Sequence, residues 1–317
     1  MTVLQAILEG IIQGATEFLP VSSSGHLSLS QHFLGIQQPS LFFDVMLHLG
    51  TLAAVLAVYY KLVWRLLLEF FSMIRDLATK NFTAKRMSPN RRMLLMLFLS
   101  LVPLFLLFLP VPGSGRRLKD FANQWATDGD ILVEGFSLIA TGLLLSAGIF
   151  FSRQDAKIHN KGKRPGSRPY SGRKEYNAGD ALSVGLMQCA AALFPGLSRS
   201  GSTLSAGLIR GISRKTALDY SFVLGIPSIL AAAALETKEA LSAPPSVPAW
   251  VILSGIVSAA LVGFLAILLL RWMVNSGHLA VFAIYTLVLG VIVAVAGFLE
   301  HRTGINIVSG AILNFNG

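Results

Sequence analysis

Six long apolar runs punctuate the chain, near residues 41–60, 91–111, 134–152, 217–235, 249–270 and 279–299. Each approaches the roughly 20 residues that a helix needs to cross a hydrocarbon core. Gly, Pro, Ser and charged residues fill the gaps between them. Two further stretches, 2–34 and 180–210, are apolar but broken midway by Pro, Gly and polar residues. Neither half of either stretch is long enough to span. Irregular backbone at membrane depth is tolerated only against protein or a cavity, so both stretches predict re-entrant hairpins. The pattern therefore predicts an all-α integral membrane protein over residues 1–317, with six transmembrane helices plus two re-entrant helical hairpins.

Composition agrees with lipid as the solvent. Hydrophobic residues make up 53% of the chain and charged residues only 13%, against about 25% charged in soluble domains. The formal net charge of +10 invites a nucleic-acid reading, which its distribution excludes. Of the 26 Lys and Arg, eight lie in 61–92, eight in 153–174, three at Arg210, Arg214 and Lys215, and one at Arg271. With six spans and two returning hairpins, all of these fall on one face, which the positive-inside rule makes cytoplasmic. Anionic membrane lipids are the natural partners of such loops. The single cysteine, Cys189, cannot form an internal disulfide, and the start MTVLQAILEGIIQG reads as mature protein rather than a signal peptide.

The two broken stretches resemble each other. At a constant offset of 175, residues such as Ala6, Gly10, Gln13, Pro20, Ser23, Asp44 and Gly50 recur as Ala181, Gly185, Gln188, Pro195, Ser198, Asp219 and Gly225. Under the topology above the two hairpins enter from opposite faces. That predicts an inverted repeat, with halves at about 2–152 (hairpin 2–34) and 180–299 (hairpin 180–210). The functional site of such folds lies at the repeat interface near mid-membrane.

The first break reads QGATEFLPVSSSGHL (13–27) and the second PGLSRSGST (195–203). Gln13 and Glu17 are four apart, hence on one helical face. Pro20 ends that helix, Ser22, Ser23 and Ser24 offer N-cap oxygens, and His26 falls in the next first turn. In the second break, Pro195 and Gly196 interrupt the chain, Ser198 can cap, and Arg199 starts the following helix. Helix N-termini favour phosphate, and the Arg199 fork suits phosphate oxygens. An Arg at the bilayer centre costs at least about 2.5–3.5 kcal/mol and needs a partner or a task. Glu17 is the obvious partner and a phosphorylated substrate the obvious task, against the plain alternative of a structural ion pair. Asp44 and His48, on one face of the first span, read as structural or as support for the residues that act.

These two motifs, with FFDVMLHLGTLAAVL between them, resemble the signature regions of the undecaprenyl-diphosphate phosphatase family, which confers bacitracin resistance. The resemblance covers essentially the whole chain. It implies a bacterial plasma-membrane enzyme that hydrolyses undecaprenyl diphosphate to the monophosphate and inorganic phosphate, recycling the carrier for cell-wall synthesis. It further implies a divalent cation, usually Mg²⁺, and a site open to the extracytoplasmic side. Carried over by motif, the catalytic set is Glu17, Ser23, His26 and Arg199, with Ser198, Arg199 and Thr203 on the substrate phosphate. Ser23 is the expected nucleophile, with His26 or an activated water as alternatives. Glu17, Gln13 and Glu9 are the candidate metal ligands. Family members carry Glu or Gln where Gln13 stands, and Gln supplies no anion. A homodimer is left open.

Two rival readings follow from the same residues. A secondary transporter or flippase of an anionic lipid also uses broken helices around a mid-membrane site, but would move substrate without releasing phosphate. An unrelated lipid phosphatase of the acid-phosphatase type is suggested by Ser24, Gly25 and His26, with Arg164-Pro165 and Arg168-Pro169 as its remaining fragments.

Overall fold

Most helices begin or end where the sequence supplies a cap, a proline or a glycine. The computed structural model describes residues 1–34, 41–79, 87–127, 130–161, 170–240, 247–308 and 310. Among these residues the elements are α1 (Val3–Glu17), α2 (Ser23–Leu34), α3 (Leu41–Ala78), α4 (Pro89–Leu101), a 3-10 segment (Val102–Phe108), α5 (Leu118–Thr127) and α6 (Leu132–Asn160). The second part holds α7 (Ala178–Leu193), α8 (Arg199–Ile209), α9 (Arg214–Ala240), α10 (Ala249–Asn275) and α11 (Ala280–Thr303). Arg164, Pro165, Arg168 and Pro169 lie outside the described residues.

Among the described residues, six helical segments are long and apolar enough to cross a membrane: Phe42–Ala78, Pro89–Phe108, Ile131–Asn160, Arg214–Ala234, Ala249–Asn275 and Ala280–Thr303. These are the six runs read from the sequence, so the chain is a multi-pass, all-helical membrane protein. Two departures have local causes. The first run continues to Ala78 because residues 61–78 stay helical despite their charges. Pro103 lacks the N–H that would continue α4, and the chain tightens there into the 3-10 segment. Helix α5 has no counterpart among the apolar runs.

The short broken pairs match in detail. Thr2 and Asn177 each form a capping box at the start of α1 and α7, respectively, and they stand 175 residues apart. Helix α1 packs on α10, whereas α7 packs on α4 and the 3-10 segment, so each short helix leans on a long element of the other half. The basic residues gather at one end of the molecule. There Arg91 bonds Glu69 at 3.2 Å, Arg92 bonds Glu175 at 2.8 Å, and Arg173 and Arg210 both clamp Asp180.

Small residues bring the long helices together, as they do wherever lipid offers no hydrophobic drive for helix association. Helix α11 meets α6 through Gly135, Gly142 and Gly290. On α1, a Cβ at Gly14 would stand 2.6 Å from the Ala259 carbonyl of α10 and 2.8 Å from Gly263 N. Gly14→Ala is therefore expected to force the two helices apart, at a cost of about 1–3 kcal/mol for overpacking. A melting curve in detergent checks this; an unchanged midpoint would mean that α1 does not depend on this contact.

Candidate active site

The end of α1 is set by its own sequence. Gln13 and Glu17 occupy the last turn, and Pro20 prevents its continuation. Between Phe18 and Ser22 the chain reverses, and Ser22 takes a left-handed conformation (φ +74°), uncommon for a residue with a side chain. Its hydroxyl accepts the Gly25 N–H at 3.2 Å, while its carbonyl accepts from His26 N at 3.2 Å and His26 Nδ1 at 2.7 Å. Ser22 thus does the capping, which leaves the hydroxyl of Ser23 available for Glu17.

The second break follows the same logic with different residues. Gly196 supplies a positive φ of +82°. Ser198 caps α8 by accepting the Gly201 N–H at 3.0 Å, and its own N–H donates to Thr141 Oγ1 at 3.0 Å. The two breaks meet. Ser200 Oγ donates to the Leu19 carbonyl at 3.0 Å, and a Cβ on Gly25 would lie 3.3 Å from Gly196 Cα.

At this meeting point Glu17, only 5% exposed, collects three donors. Arg199 Nη2 donates to Oε1 at 2.5 Å, Ser23 Oγ donates to Oε2 at 2.7 Å, and Gln13 Nε2 donates to Oε2 at 3.0 Å. His48 completes the cluster, with Nδ1 at 2.9 Å from Gln13 Nε2 and 3.4 Å from Glu17 Oε2. The sequence reading gave His48 a structural or supporting part. Its signal was present in its place on the first span, but nothing in the chain announced that α3 would carry that face to Glu17. Once charge is balanced, such a group is a carboxylate holding a hydroxyl, beside a guanidinium, in apolar surroundings.

A cavity of about 650 Å³ opens from this cluster. Glu17, His48, Gln188, Arg199 and Ser228 give it a polar end, and Phe98, Leu101, Phe105, Phe108, Ala192 and Ile229 are among the residues that make the rest apolar. Pro227 interrupts the hydrogen-bond ladder of α9 at this wall, and Ser228 Oγ donates to the Leu224 carbonyl at 2.9 Å. Val45 and His48 of α3, Phe98 and Leu101 of α4, and Ala231 of α9 place the cavity in the half of the molecule away from the basic end.

The remaining sequence candidates surround the cluster. His26 Nε2 accepts from Tyr285 OH at 2.7 Å, and its ring stacks on Tyr285; both nitrogens are thus engaged with the turn and with α11, not with Glu17 or Ser23. Thr203 Oγ1 bonds the Arg199 carbonyl at 2.9 Å and Ser221 at 2.6 Å, so it holds α8 together as Ser198 does. Glu9 is turned to α2, accepting from Ser30 at 2.8 Å. Among the described residues there is no group of three His, Cys, Asp or Glu side chains close enough to hold a metal unaided.

The guanidinium lies against the backbone of α9. A Cβ at Gly225 would collide with Arg199 Nη1 and sit 3.0 Å from Cζ. Gly225→Ala is therefore expected to push Arg199 off Glu17, to lower kcat/KM at least about tenfold, and to lower the melting temperature because a buried ion pair is disturbed. Unchanged kcat/KM would show that this guanidinium placement does not matter.

Comparison with known proteins bears on the same residues. A protein 34% identical over 300 residues, covering 94% of this chain and 99% of its own length, is named undecaprenyl-diphosphatase in Desulforapulum autotrophicum. Proteins of the same name from Alkaliphilus metalliredigens and Methanosphaera stadtmanae are 36% and 34% identical, each covering 92% of this chain and 98% and 97% of their own. The family description "Bacitracin resistance protein BacA" matches residues 6–292, which include both breaks, and the chain belongs to that family.

Proposed function

We propose that this chain hydrolyses undecaprenyl diphosphate to undecaprenyl phosphate and inorganic phosphate. The observation that carries the reading is Glu17 holding Ser23 and Arg199 at once, at the polar end of an otherwise apolar cavity. A polyprenyl diphosphate has the matching shape: a doubly charged head on a long apolar tail. The tail occupies the wall of α4, the 3-10 segment and α9, and the head reaches Arg199.

Phosphoryl transfer is mostly positioning and charge neutralisation. In the resting protein Arg199 is paired with Glu17. The incoming diphosphate takes over the guanidinium, which frees Glu17 to accept the Ser23 proton. Ser23 Oγ then attacks the terminal phosphorus, and undecaprenyl phosphate leaves. Glu17 passes the serine proton to the departing undecaprenyl phosphate and is again a base. It then takes a proton from water, which attacks the phosphoserine, and returns that proton to Ser23 Oγ as inorganic phosphate leaves. His26 acts through the turn: with Tyr285 behind it, it holds the Ser22 carbonyl and so the direction of Ser23. Ser198 and Thr203 fix the start of α8, from which Arg199 reaches the head group.

A divalent cation fits this site as a partner of the substrate. Gln13 Oε1 is buried without a hydrogen bond, and Glu17 supplies one carboxylate. Mg²⁺ is commonly held by one or two carboxylates plus substrate phosphates. Glu17 and Gln13 would hold it, and when bound it would screen the charge on the diphosphate. Glu9, turned to Ser30, stands outside this set.

The same geometry supports the finer topology. The two broken pairs are re-entrant hairpins of an inverted repeat, supported by the capping boxes at Thr2 and Asn177 and the exchanged packing of α1 and α7. With the basic end in the cytoplasm, the cavity lies in the outer half of a bacterial plasma membrane and opens extracytoplasmically. A transporter would need neither the hydroxyl nor the carboxylate bonded to it.

Glu17→Gln and Ser23→Ala are each expected to lower kcat by about a hundredfold or more. Purified protein in detergent should release phosphate from undecaprenyl diphosphate with Mg²⁺ and stop when the metal is chelated. Rapid quenching with a labelled terminal phosphate should place the label on Ser23. Label on His26 would overturn the nucleophile, and transport into vesicles without phosphate release would overturn the enzyme.

A further inference from the structure

Gln13 and Gln188 occupy the same position, 175 residues apart, near the ends of α1 and α7. Their surroundings differ in an informative way. The Gln13 amide nitrogen donates to Glu17 at 3.0 Å and faces His48 at 2.9 Å. At the same offset the partners of Gln188 would be Ala192, in place of Glu17, and Val223, in place of His48. Neither can accept a hydrogen bond. Gln188 is 2% exposed, and its Oε1 takes only the weaker branch, at 3.3 Å, of a Ser228 hydroxyl proton shared with the Leu224 carbonyl at 2.9 Å. Its Nε2 is buried with no partner.

A buried amide donor without an acceptor is costly and rare in native structures. This one borders the cavity together with Ala192, Ser228 and Arg199. Where the first half places a carboxylate against its glutamine, the second half places alanine and open space.

We infer that Gln188 is a substrate-binding residue whose amide Nε2 donates to a diphosphate oxygen, the anionic ligand standing where the second half lacks a carboxylate. The inference rests on the phosphatase reading and deepens it. Nε2 is shielded in the resting wall and is reached as that wall adjusts around the head group, in the event that draws Arg199 off Glu17. The wall at this point is the Pro227 interruption of α9, where the helix ladder is already open. Arg199 and Gln188 then grip the head group from α8 and α7. The donor favours a fully ionised diphosphate over a bare prenyl alcohol.

Two independent measurements test the assignment. Melting temperature is followed as inorganic pyrophosphate and Mg²⁺ are added to the detergent-purified protein, and kcat and KM are measured for undecaprenyl diphosphate. Gln188→Leu keeps the volume and removes the donor. It is expected to raise KM about tenfold or more, leave kcat within a fewfold, and abolish most of the pyrophosphate-induced melting shift. Its own melting temperature should equal or exceed that of the unaltered protein, since an unsatisfied group has been removed. Gln188→Glu, which turns a donor into an anion, should raise KM further. Ala192→Glu rebuilds the first half's pair, fills the space, and should eliminate the pyrophosphate shift.

A Gln188→Leu protein with KM within twofold of the original and an undiminished pyrophosphate shift would overturn the inference. So would the absence of any shift in the unaltered protein. A Gln188-dependent shift without phosphate release would instead sustain this inference and remove the enzymatic reading, so the two fail separately.

Discussion

Everything at the centre of this protein depends on one buried ion pair. Glu17 and Arg199 come from sequence positions 182 residues apart and share a place where neither survives alone. Removing one partner of a buried pair typically costs about 3–5 kcal/mol, because the other charge is left without compensation. The pair therefore makes the two positions depend on each other, without tying α1 to α8 more tightly than apolar packing would. It also stores the site in a discharged state, with the cation neutralised and the serine hydroxyl held. In the proposed mechanism an anion entering the cavity competes with Glu17 for Arg199, and its arrival liberates the carboxylate.

Such a pair requires that two helices stop at the same depth, and stopping inside an apolar environment exposes backbone groups that must be satisfied. The protein meets this requirement with serines. Ser22 and Ser198 cap the helices that restart, Thr141 accepts the Ser198 N–H, and Ser200 satisfies the Leu19 carbonyl across the junction. The second break thus repairs part of the first, and α6 repairs part of the second. That explains why the serine-rich runs look excessive for catalysis alone: most of these hydroxyls serve the backbone, and of the serines beside the carboxylate only Ser23 bonds to it.

This division of labour marks the limit of what the chain discloses before folding. The six spans were legible because uninterrupted apolar runs leave a helix no other solvent than lipid, and the breaks were legible because Pro20, Pro195 and Gly196 forbid continuation. Glu17 and Arg199 stood out because charge is expensive in apolar surroundings. Three features were not legible. Residues 61–78 carry loop-like charge, yet they continue α3, since a helix leaving the bilayer can present Lys and Arg to water without ending. Which serine caps and which reacts depends on the left-handed turn at Ser22, a backbone event with no side-chain signature. The position of His48 beside Glu17 depends on how α3 packs against α1, which no local pattern encodes.

Between the two halves, the residues that were kept and those that changed divide by physical role. The capping boxes at Thr2 and Asn177, the glycines Gly10 and Gly185, and the glutamines Gln13 and Gln188 stand at the common offset, because a broken helix in an apolar setting imposes the same demands on either half. The two charges of the site do not recur, although Asp44 does as Asp219: Ala192 stands opposite Glu17, and Ser24 opposite Arg199. Had both halves kept a carboxylate, two like charges would face each other across one cavity, raising each other's cost with no cation left for the substrate. Had both kept an arginine, the cavity would hold anions but lack a base. An asymmetric charge distribution avoids both outcomes: one break contributes the carboxylate and the serine bonded to it, and the other contributes the cation and the start of the helix that carries it. The reaction is confined to the single point where the two unlike ends touch.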